Sequence, residues 1–424
     1  MIRTLPVALA VLALVGCGGT EEAAPPPKTT TAASAPAEAV LAVSNDLEGS
    51  ELFWADGRTL DPVDDRSVSF SYYYSAVDDS PDGGTLALGA DERGYVQLID
   101  LDGMESLGTV DVGGSGYFER LNWVAPDLLL ASVSGTAGRA VAIDPAAQTV
   151  RSEHELPGVV LSSQPVDGGL VLLLAPAERI GPARLAVFDG ESVRTAELRE
   201  VSAGWEQVSE GETEEEYRSR QSVPGLAVDP SGSRALVVPA GNRVAEVDLE
   251  TLEVAYHDLS EPVSFFGRLR DWLEPAAHAK SVDGPERNAV WLESGLVAVS
   301  GSNYAAGGDR MDVTPAGLML IDPGDWSVRR LSDESNWVTT RGDALLASSW
   351  KEDSSEQSVV VFDLDGEERF SLARPAADLS QASGGLLYAA TQNGARYELV
   401  DLETGETVGR ATPERPAWLV YLDE

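Results

Sequence analysis

One short pattern recurs eight times along this 424-residue chain and constrains its fold more than any other feature. Each copy is an apolar run that ends in an aspartate and is followed by residues typical of a turn. The intervals between successive aspartates are 44, 44, 45, 59, 74, 41 and 38 residues. The eight aspartates are Asp56, Asp100, Asp144, Asp189, Asp248, Asp322, Asp363 and Asp401.

A second landmark precedes the aspartate in the repeats, namely a tight turn followed by a strongly apolar run. Residues 81–84 and 383–385 are two such turns, ahead of the runs at 86–88 and 386–390. Each unit therefore reads as strand, turn, buried strand, loop, strand, aspartate turn and strand. Five of the seven intervals average about 42 residues, the spacing of a four-stranded propeller blade. We predict an all-β β-propeller of eight four-stranded blades, with seven as the alternative count.

The two ends of the repeat array complement each other. The first copy begins directly with its buried strand at residues 40–43, whereas the chain ends with an apolar run at 416–422 that follows a complete eighth unit. We predict that this C-terminal strand completes the first blade and closes the ring, because closure removes an exposed strand edge.

The recurring aspartate is interpreted as structural, because a carboxylate at the first position of a turn accepts backbone N–H bonds. The strands that follow the first turn of each unit are expected to line the central channel, and their apolar character argues against a cation site there. Their residues are Leu86, Leu129, Leu172, Val237, Val297, Leu346 and Leu387.

The N-terminus carries a targeting pattern. Residues 5–15 form an apolar stretch of eleven residues after Arg3, and a membrane-spanning helix needs about 20, so residues 1–16 are predicted to be a signal peptide. Residues 14–17 (Leu-Val-Gly-Cys) resemble the bacterial lipobox. That resemblance implies lipidation of Cys17 and a location in the cell envelope, anchored on the extracytoplasmic side of a bacterial membrane. The alternative is an ordinary signal peptide with a chance cysteine.

The remaining chain divides into two parts. Residues 18–38 contain small residues, Pro and Thr without a large apolar side chain, so we expect a disordered tether. Residues 39–424 are predicted to form the propeller domain.

Charge and residue usage exclude several functions. The chain has 70 Asp and Glu against 30 Lys and Arg, a formal net charge of −40, and nucleic-acid binding needs a basic face. The single cysteine permits no intrachain disulfide and no cysteine-based zinc site, and the three histidines are far apart in sequence. We therefore predict no catalytic residues, no metal site, no cofactor and no nucleic-acid partner.

Two repeat cores resemble a known group. Residues 244–254 (VAEVDLETLEV) and 397–408 (YELVDLETGETV) are similar to the repeats of bacterial extracytoplasmic propellers of the WD40-like, YVTN and quinoprotein-like kinds. The resemblance implies the architecture of residues 40–424, whereas propellers of this kind have unrelated activities. The chain has no Trp-Asp or Gly-His pair, so its repeats differ from true WD40 repeats. It also lacks the second cysteine that is usual in quinoprotein dehydrogenases.

Three insertions interrupt the repeats. Residues 201–222 are acidic and are interpreted as a surface loop or a short solvated helix, with a site for a cation or a basic partner as the alternative. Residues 260–288 are predicted to contain a short helix near 261–275 that Ser260 caps, and residues 303–314 lengthen a loop of the sixth unit. The helix has an apolar face that packs on its own ring or docks a partner. The candidate partner-binding residues on that face are Phe265, Leu269, Trp272 and Leu273.

We predict a membrane-anchored, non-catalytic propeller lipoprotein that binds an unknown protein or small ligand. Its membrane contact would be the lipid anchor at Cys17. Two or more acyl chains on that residue would hold the protein stably on a bilayer. The alternative is a propeller enzyme of lactonase or quinoprotein type with a cation in the central channel.

Replacement of Cys17 tests the anchor. Cys17→Ser is expected to abolish acylation, so the variant is released from membranes or keeps its signal peptide. Intact mass spectrometry and membrane fractionation measure this. Wild-type protein that is soluble and shows no mass increase from acyl chains would contradict the lipobox prediction.

Overall fold

The structure is a computed structural model that describes residues 39–45, 50–70, 74–90, 94–114, 116–135, 137–177, 179–206, 218–260, 284–306, 311–350, 356–375, 378–383, 385–391 and 395–420. They belong to one compact unit, residues 37–424. The predicted signal peptide, Cys17, the tether and the helix near 261–275 lie outside the described residues. Within the described ranges no helix is long and apolar enough to span a membrane.

The described strands form eight antiparallel sheets, and each sheet is one predicted blade. The strands of the first four blades are, for blade one, β1 (Ala39–Asn45), β2 (Ser50–Asp56), β3 (Val68–Phe70) and β34 (Trp418–Leu419); for blade two, β4 (Tyr74–Asp79), β5 (Thr85–Ala90), β6 (Tyr95–Asp100) and β7 (Glu105–Asp111); for blade three, β8 (Tyr117–Ala125), β9 (Leu128–Ser134), β10 (Arg139–Asp144) and β11 (Thr149–Glu155); and for blade four, β12 (Val159–Val166), β13 (Gly169–Ala175), β14 (Gly181–Phe188), β15 (Val193–Trp205) and β16 (Gln221–Ser222).

The second half of the ring repeats this order. Its strands are, for blade five, β17 (Gly225–Val228), β18 (Arg234–Val238), β19 (Arg243–Asp248) and β20 (Val254–Asp258); for blade six, β21 (Pro285–Trp291), β22 (Val297–Ala306), β23 (Met311–Pro315), β24 (Leu318–Ile321) and β25 (Val328–Ser332); for blade seven, β26 (Trp337–Arg341), β27 (Ala344–Trp350), β28 (Glu356–Asp363) and β29 (Glu368–Pro375); and for blade eight, β30 (Asp378–Ser383), β31 (Leu386–Thr391), β32 (Arg396–Asp401) and β33 (Thr407–Ala411). The predicted eight-bladed all-β fold is confirmed.

The hydrophobic core lies between the blades. Each of the eight interfaces between neighbouring blades contains a cluster of buried apolar residues that both blades contribute. The cluster between blades eight and one combines Tyr388 and Leu399 with Leu60 and Leu419. The blades therefore form a closed ring in which each sheet is covered on both faces.

The C-terminal strand closes the ring as the sequence predicts. Strand β34 pairs with β1, with Leu419 opposite Ala42 and Trp418 opposite Val43, and Val420 N donates to Leu41 O at 2.8 Å. The Tyr397 hydroxyl of blade eight donates to the carbonyl oxygen of Ala417. The last strand is therefore held both by the first blade and by the eighth.

All eight repeated aspartates act as predicted, since each carboxylate accepts at least one backbone N–H from its own turn. In blade five, Asp248 Oδ1 accepts from Glu250 N at 3.1 Å and Thr251 N at 2.7 Å. Leu252 N donates to Asp248 O at 2.8 Å, and Leu252 itself has a positive φ of 60°. The carboxylate thus stabilises a strained hairpin turn.

The prediction of which strands line the central channel is wrong. The first strands of successive blades contact one another from β4 to β30, which places them nearest the axis, whereas the predicted residues lie in the second strands. Leu86, Leu172 and Val297, for example, are 0% exposed and pack between blades. The most apolar strand is the one that neighbouring blades cover on both faces, and the strand beside the axis has an edge toward the channel and is more polar.

Strand alternation gives the ring two distinct faces. The connections between first and second strands and the aspartate turns lie on one face, which we call the turn face. The connections between second and third strands and between successive blades lie on the opposite face, which we call the loop face. All three insertions leave from the loop face, because they follow β15, β20 and β22.

Removal of the closing strand tests the ring. Deletion of residues 416–424 is expected to lower the melting temperature sharply, because Leu419 and Val420 are 6% and 7% exposed and burial of such side chains contributes about 3–6 kcal/mol together. Deletion of residues 421–424 alone is the control and is expected to change little. Equal melting temperatures for the two truncated proteins would contradict the closing role of β34.

Acid titration tests the aspartate turns. The N–H of Thr251 donates to Asp248 and lowers the pKa of that carboxyl in the folded protein, so its contribution to stability is present above the unfolded value of about 3.9 and is lost as the pH falls through the lower folded value. Asp248→Asn should therefore lose less melting temperature than wild type between pH 7 and pH 3. Glu250→Gln removes one charge from the same turn, and a similar effect of this control would contradict the prediction.

Candidate functional site

The loop face is where this chain departs from a regular propeller. Strand β15 continues for 13 residues and pairs beyond the blade with β16, where Gly204 lies opposite Ser222. Strand β22 likewise extends past its partner β24 and pairs with β23 from Ser302 to Ala306. The insertion at residues 303–314, predicted to lengthen a loop of the sixth unit, is therefore built on a β-hairpin.

The ends of the three insertions meet at one place. The Tyr304 N–H donates to the Gly284 carbonyl at 3.2 Å, and Arg218 Cζ lies 5.3 Å from the centroid of the Tyr304 ring. Gly284 has a φ of 52°, and a Cβ there would overlap the carbonyl oxygens of Arg218 and Tyr304. We call this place, with the adjoining residues Gln221, Glu286 and Arg287, the insertion junction.

The junction rests on the first strand of blade six. Val223 forms a parallel bridge with Glu286, in which Val223 N donates to Pro285 O and Arg287 N donates to Val223 O, both at 2.8 Å. The Gln221 side chain donates to Glu286 Oε2 at 3.2 Å. The segment that leads into blade five thus covers the free edge of β21 and holds the two blades in register.

The junction is polar although it is buried. Buried side chains there belong to Gln221, Arg287, Ser302, Asn303 and Tyr304. Arg287 is 4% exposed, and its Nη1 donates to Glu286 O at 2.8 Å and to Ser302 O at 2.9 Å. Its Nη2 donates to Asn303 Oδ1 at 2.9 Å. The guanidinium is therefore fixed by three neutral oxygen atoms.

Burial changes the acid–base chemistry of two of these groups. It lowers the pKa of Arg287 to about 10, against an opposing effect of Glu286, so the guanidinium stays charged at neutral pH. Burial also raises the pKa of Tyr304, and the charge of Glu286 raises it further. Tyr304 is therefore a neutral phenol at this site.

The sequence-predicted site residues and the observed site are different. Cys17 and the predicted helix residues Phe265, Leu269, Trp272 and Leu273 lie outside the described residues, so their roles stay predictions. Ser260, predicted to cap that helix, accepts a hydrogen bond from Val328 N at 3.1 Å. The insertion is predicted to end at residue 288, but strand β21 already begins at Pro285. The prediction therefore assigns Glu286 and Arg287 to the insertion, whereas they belong to the first strand of blade six.

The described residues also bear on the alternative function, an enzyme with a cation in the central channel. No group of three or more His, Cys, Asp or Glu side chains within them is arranged to hold a metal ion. Asp78, on the first strand of blade two, accepts from Trp123 N at 2.6 Å, so this axial carboxylate contributes to the contact between blades two and three.

Comparison with known proteins finds similarity only to solved structures of low sequence identity. No family model matches the sequence, and no curated protein matches it. Dihydro-heme d1 dehydrogenase NirN, in complex with DHE, is similar with a TM-score of 0.56 at 12% identity, over 89% of this chain and 74% of that one. AztD from Citrobacter koseri gives 0.48 at 12% over 90% and 96%, and BamB from Moraxella catarrhalis gives 0.47 at 15% over 81% and 91%. Identities this low concern the fold alone, and the chain is an eight-bladed β-propeller.

Proposed function

We propose that this chain is a lipid-anchored propeller of the bacterial cell envelope, and that it binds a protein or small-molecule partner on its loop face without catalysing a reaction. The lipobox-like residues 14–17 support the anchor, as the sole cysteine stands at the position to be acylated. The partner site is the insertion junction.

The observation that carries the proposal is the convergence of three separate insertions on one point. Arg218, Gly284 and Tyr304 come from segments far apart in sequence, and they contact one another above blade six. Loops that serve only to connect strands are short, and binding residues are commonly placed on loops that a rigid scaffold positions. A ring with its long segments gathered at one place is suited to recognition there.

Site-specific photo-crosslinking in intact producing cells tests the location. A photoreactive residue at Asp312, which is exposed on the β22–β23 hairpin, is expected to give a discrete crosslinked species. Leu107 and Val408 are 48% and 57% exposed on the outer strands β7 and β33, and the same residue at these control positions should give none.

Two further results bear on the proposal. Arg218→Ala should weaken the crosslink at position 312, because it removes the side chain that contacts the Tyr304 ring at the junction. Equal crosslinking at positions 107, 312 and 408, or turnover of a lactone substrate by the purified protein, would contradict a non-catalytic partner site on the loop face.

A further inference from the structure

Blade six has an open strand edge at the insertion junction. Its sheet runs in the order β21, β22, β24 and β25, and β23 pairs with β22 outside this order. Strand β22 pairs with β24 from Val297 to Val299 and with β23 from Ser302 to Ala306, so β23 takes, toward the loop face, the place that β24 holds nearer the turn face. Strand β25 continues the sheet beyond β24, whereas no described strand continues it beyond β23.

The hydrogen bonds of β22 determine which backbone groups of β23 face that edge. Tyr304 N donates to Gly284 O at 3.2 Å, so the N–H and C=O of Tyr304 point toward β21. Tyr304 lies opposite Val313, and opposite residues of an antiparallel ladder alternate between hydrogen-bonded and non-hydrogen-bonded pairs. The N–H and C=O of Val313 therefore point away from β22. Ala316 N donates to Gly301 O at 2.7 Å, three positions further along the ladder, as the same alternation requires.

The opposite edge of the same sheet is already covered by strand addition. Val223 N donates to Pro285 O and Arg287 N donates to Val223 O, both at 2.8 Å, so the segment that leads into blade five lies along β21. The outer strand β7 is contacted by the next blade, since Gln148 Nε2 donates to Leu107 O at 2.6 Å. An exposed strand edge is a template for another strand, and extended peptides bind proteins by adding a strand to such an edge.

The surroundings of β23 favour a basic segment as the added strand. Asp312 is exposed and Val313 is half-buried. Gly317 N donates to Ser335 O at 2.9 Å, which brings the exposed residue Glu334 to the C-terminal end of β23. Binding partners present complementary charge to each other, and the net charge of −40 on the chain attracts cationic segments.

We propose that β23 binds an extended, basic segment of a partner protein by strand addition, with the N–H and C=O of Val313 as the central docking groups. This inference rests on the proposed function, since it names how the loop face recognises its partner. Strand β23 has five residues. Because proline lacks an N–H, its edge offers both backbone groups of Met311 and Val313 and the carbonyl of Pro315. A segment as long as β23 covers all of them.

Binding of a synthetic peptide to the purified full-length protein tests the strand addition. The probe is Lys-Val-Lys-Val-Lys-Val with blocked ends and a fluorescent label, followed by anisotropy at about 0.15 M NaCl so that long-range attraction is screened. It is expected to bind saturably. The same peptide with every backbone nitrogen methylated keeps the charge but cannot donate to a strand edge, and it should bind much more weakly. A Glu-Val peptide of equal length should not bind.

Substitutions on β23 locate the contact. Val313→Pro removes one outward N–H and is expected to weaken peptide binding about fivefold, as for loss of one hydrogen bond. Its melting temperature should stay near that of wild type, because proline is tolerated on an edge strand where the N–H is not part of the ladder. Val313→Ala keeps the N–H and is the matched control with unchanged binding. Thr314→Pro removes an N–H that faces β22, so it should lower the melting temperature.

Three results would overturn the proposal: equal binding of the plain and methylated peptides, tighter binding of the Glu-Val peptide, or equal binding by Val313→Pro and Val313→Ala. If Val313→Pro fails to fold, the plain and methylated peptides decide on wild type alone. Wild-type dimers in analytical ultracentrifugation that Val313→Pro abolishes would assign the edge to a second copy and likewise overturn it.

The same measurements separate this proposal from the proposed function. Peptide binding that depends on Val313, with no crosslink at position 312 in producing cells, would contradict the proposed function alone. A crosslink at position 312 that Val313→Pro leaves unchanged, together with no binding of the basic peptide, would contradict strand addition alone.

Discussion

The contact between blade eight and blade one determines whether the rest of the ring is protected from water. Each blade buries its apolar residues against two neighbours, so seven interfaces can form in an open arc while two sheet faces stay exposed. Strand β34 removes that exposure by pairing with β1 and by contributing Leu419 to the last interface. Because only two residues of β34 pair in the ladder, side chains of blade eight matter as well, and the Tyr388 hydroxyl donates to Gly57 O across the same interface at 2.8 Å.

A closed and mutually supported ring can accommodate an unfavourable polar arrangement at one point. Arg287 is buried and forms no ion pair with an acidic residue in the part of the chain that the structure describes, and Gly284 and Gly301 adopt positive φ values beside it. A Cβ at Gly301 would overlap the carbonyl oxygen of Glu286, so the close approach of β21 and β22 depends on glycine. Functional sites commonly retain such costs because the surrounding structure compensates for them.

The repeated features of the fold are predictable from the sequence because they are local. A turn aspartate and an adjacent apolar strand recur within each unit, and counting the units shows that one strand is missing at the start and present at the end. The insertion junction is not local, since Arg218, Gly284 and Tyr304 meet only when blades five and six are assembled. Nothing in the run Pro285-Glu286-Arg287-Asn288 distinguishes an inner strand from a loop, and apolarity alone indicates coverage by neighbouring blades rather than distance from the axis.

The direction of β1 has a consequence for how the molecule is oriented in use. Strand β1 is the second strand of its blade, so it starts at the turn face with Ala39 paired to Asp56 and runs toward the loop face. Strand β34 is antiparallel to it and therefore runs back toward the turn face. The polypeptide thus enters the ring, and β34 leads out of it, on the side opposite the insertion junction. Ala39 and the insertion junction therefore lie on opposite faces of the ring, so the entry of the chain into β1 leaves the loop face unoccupied.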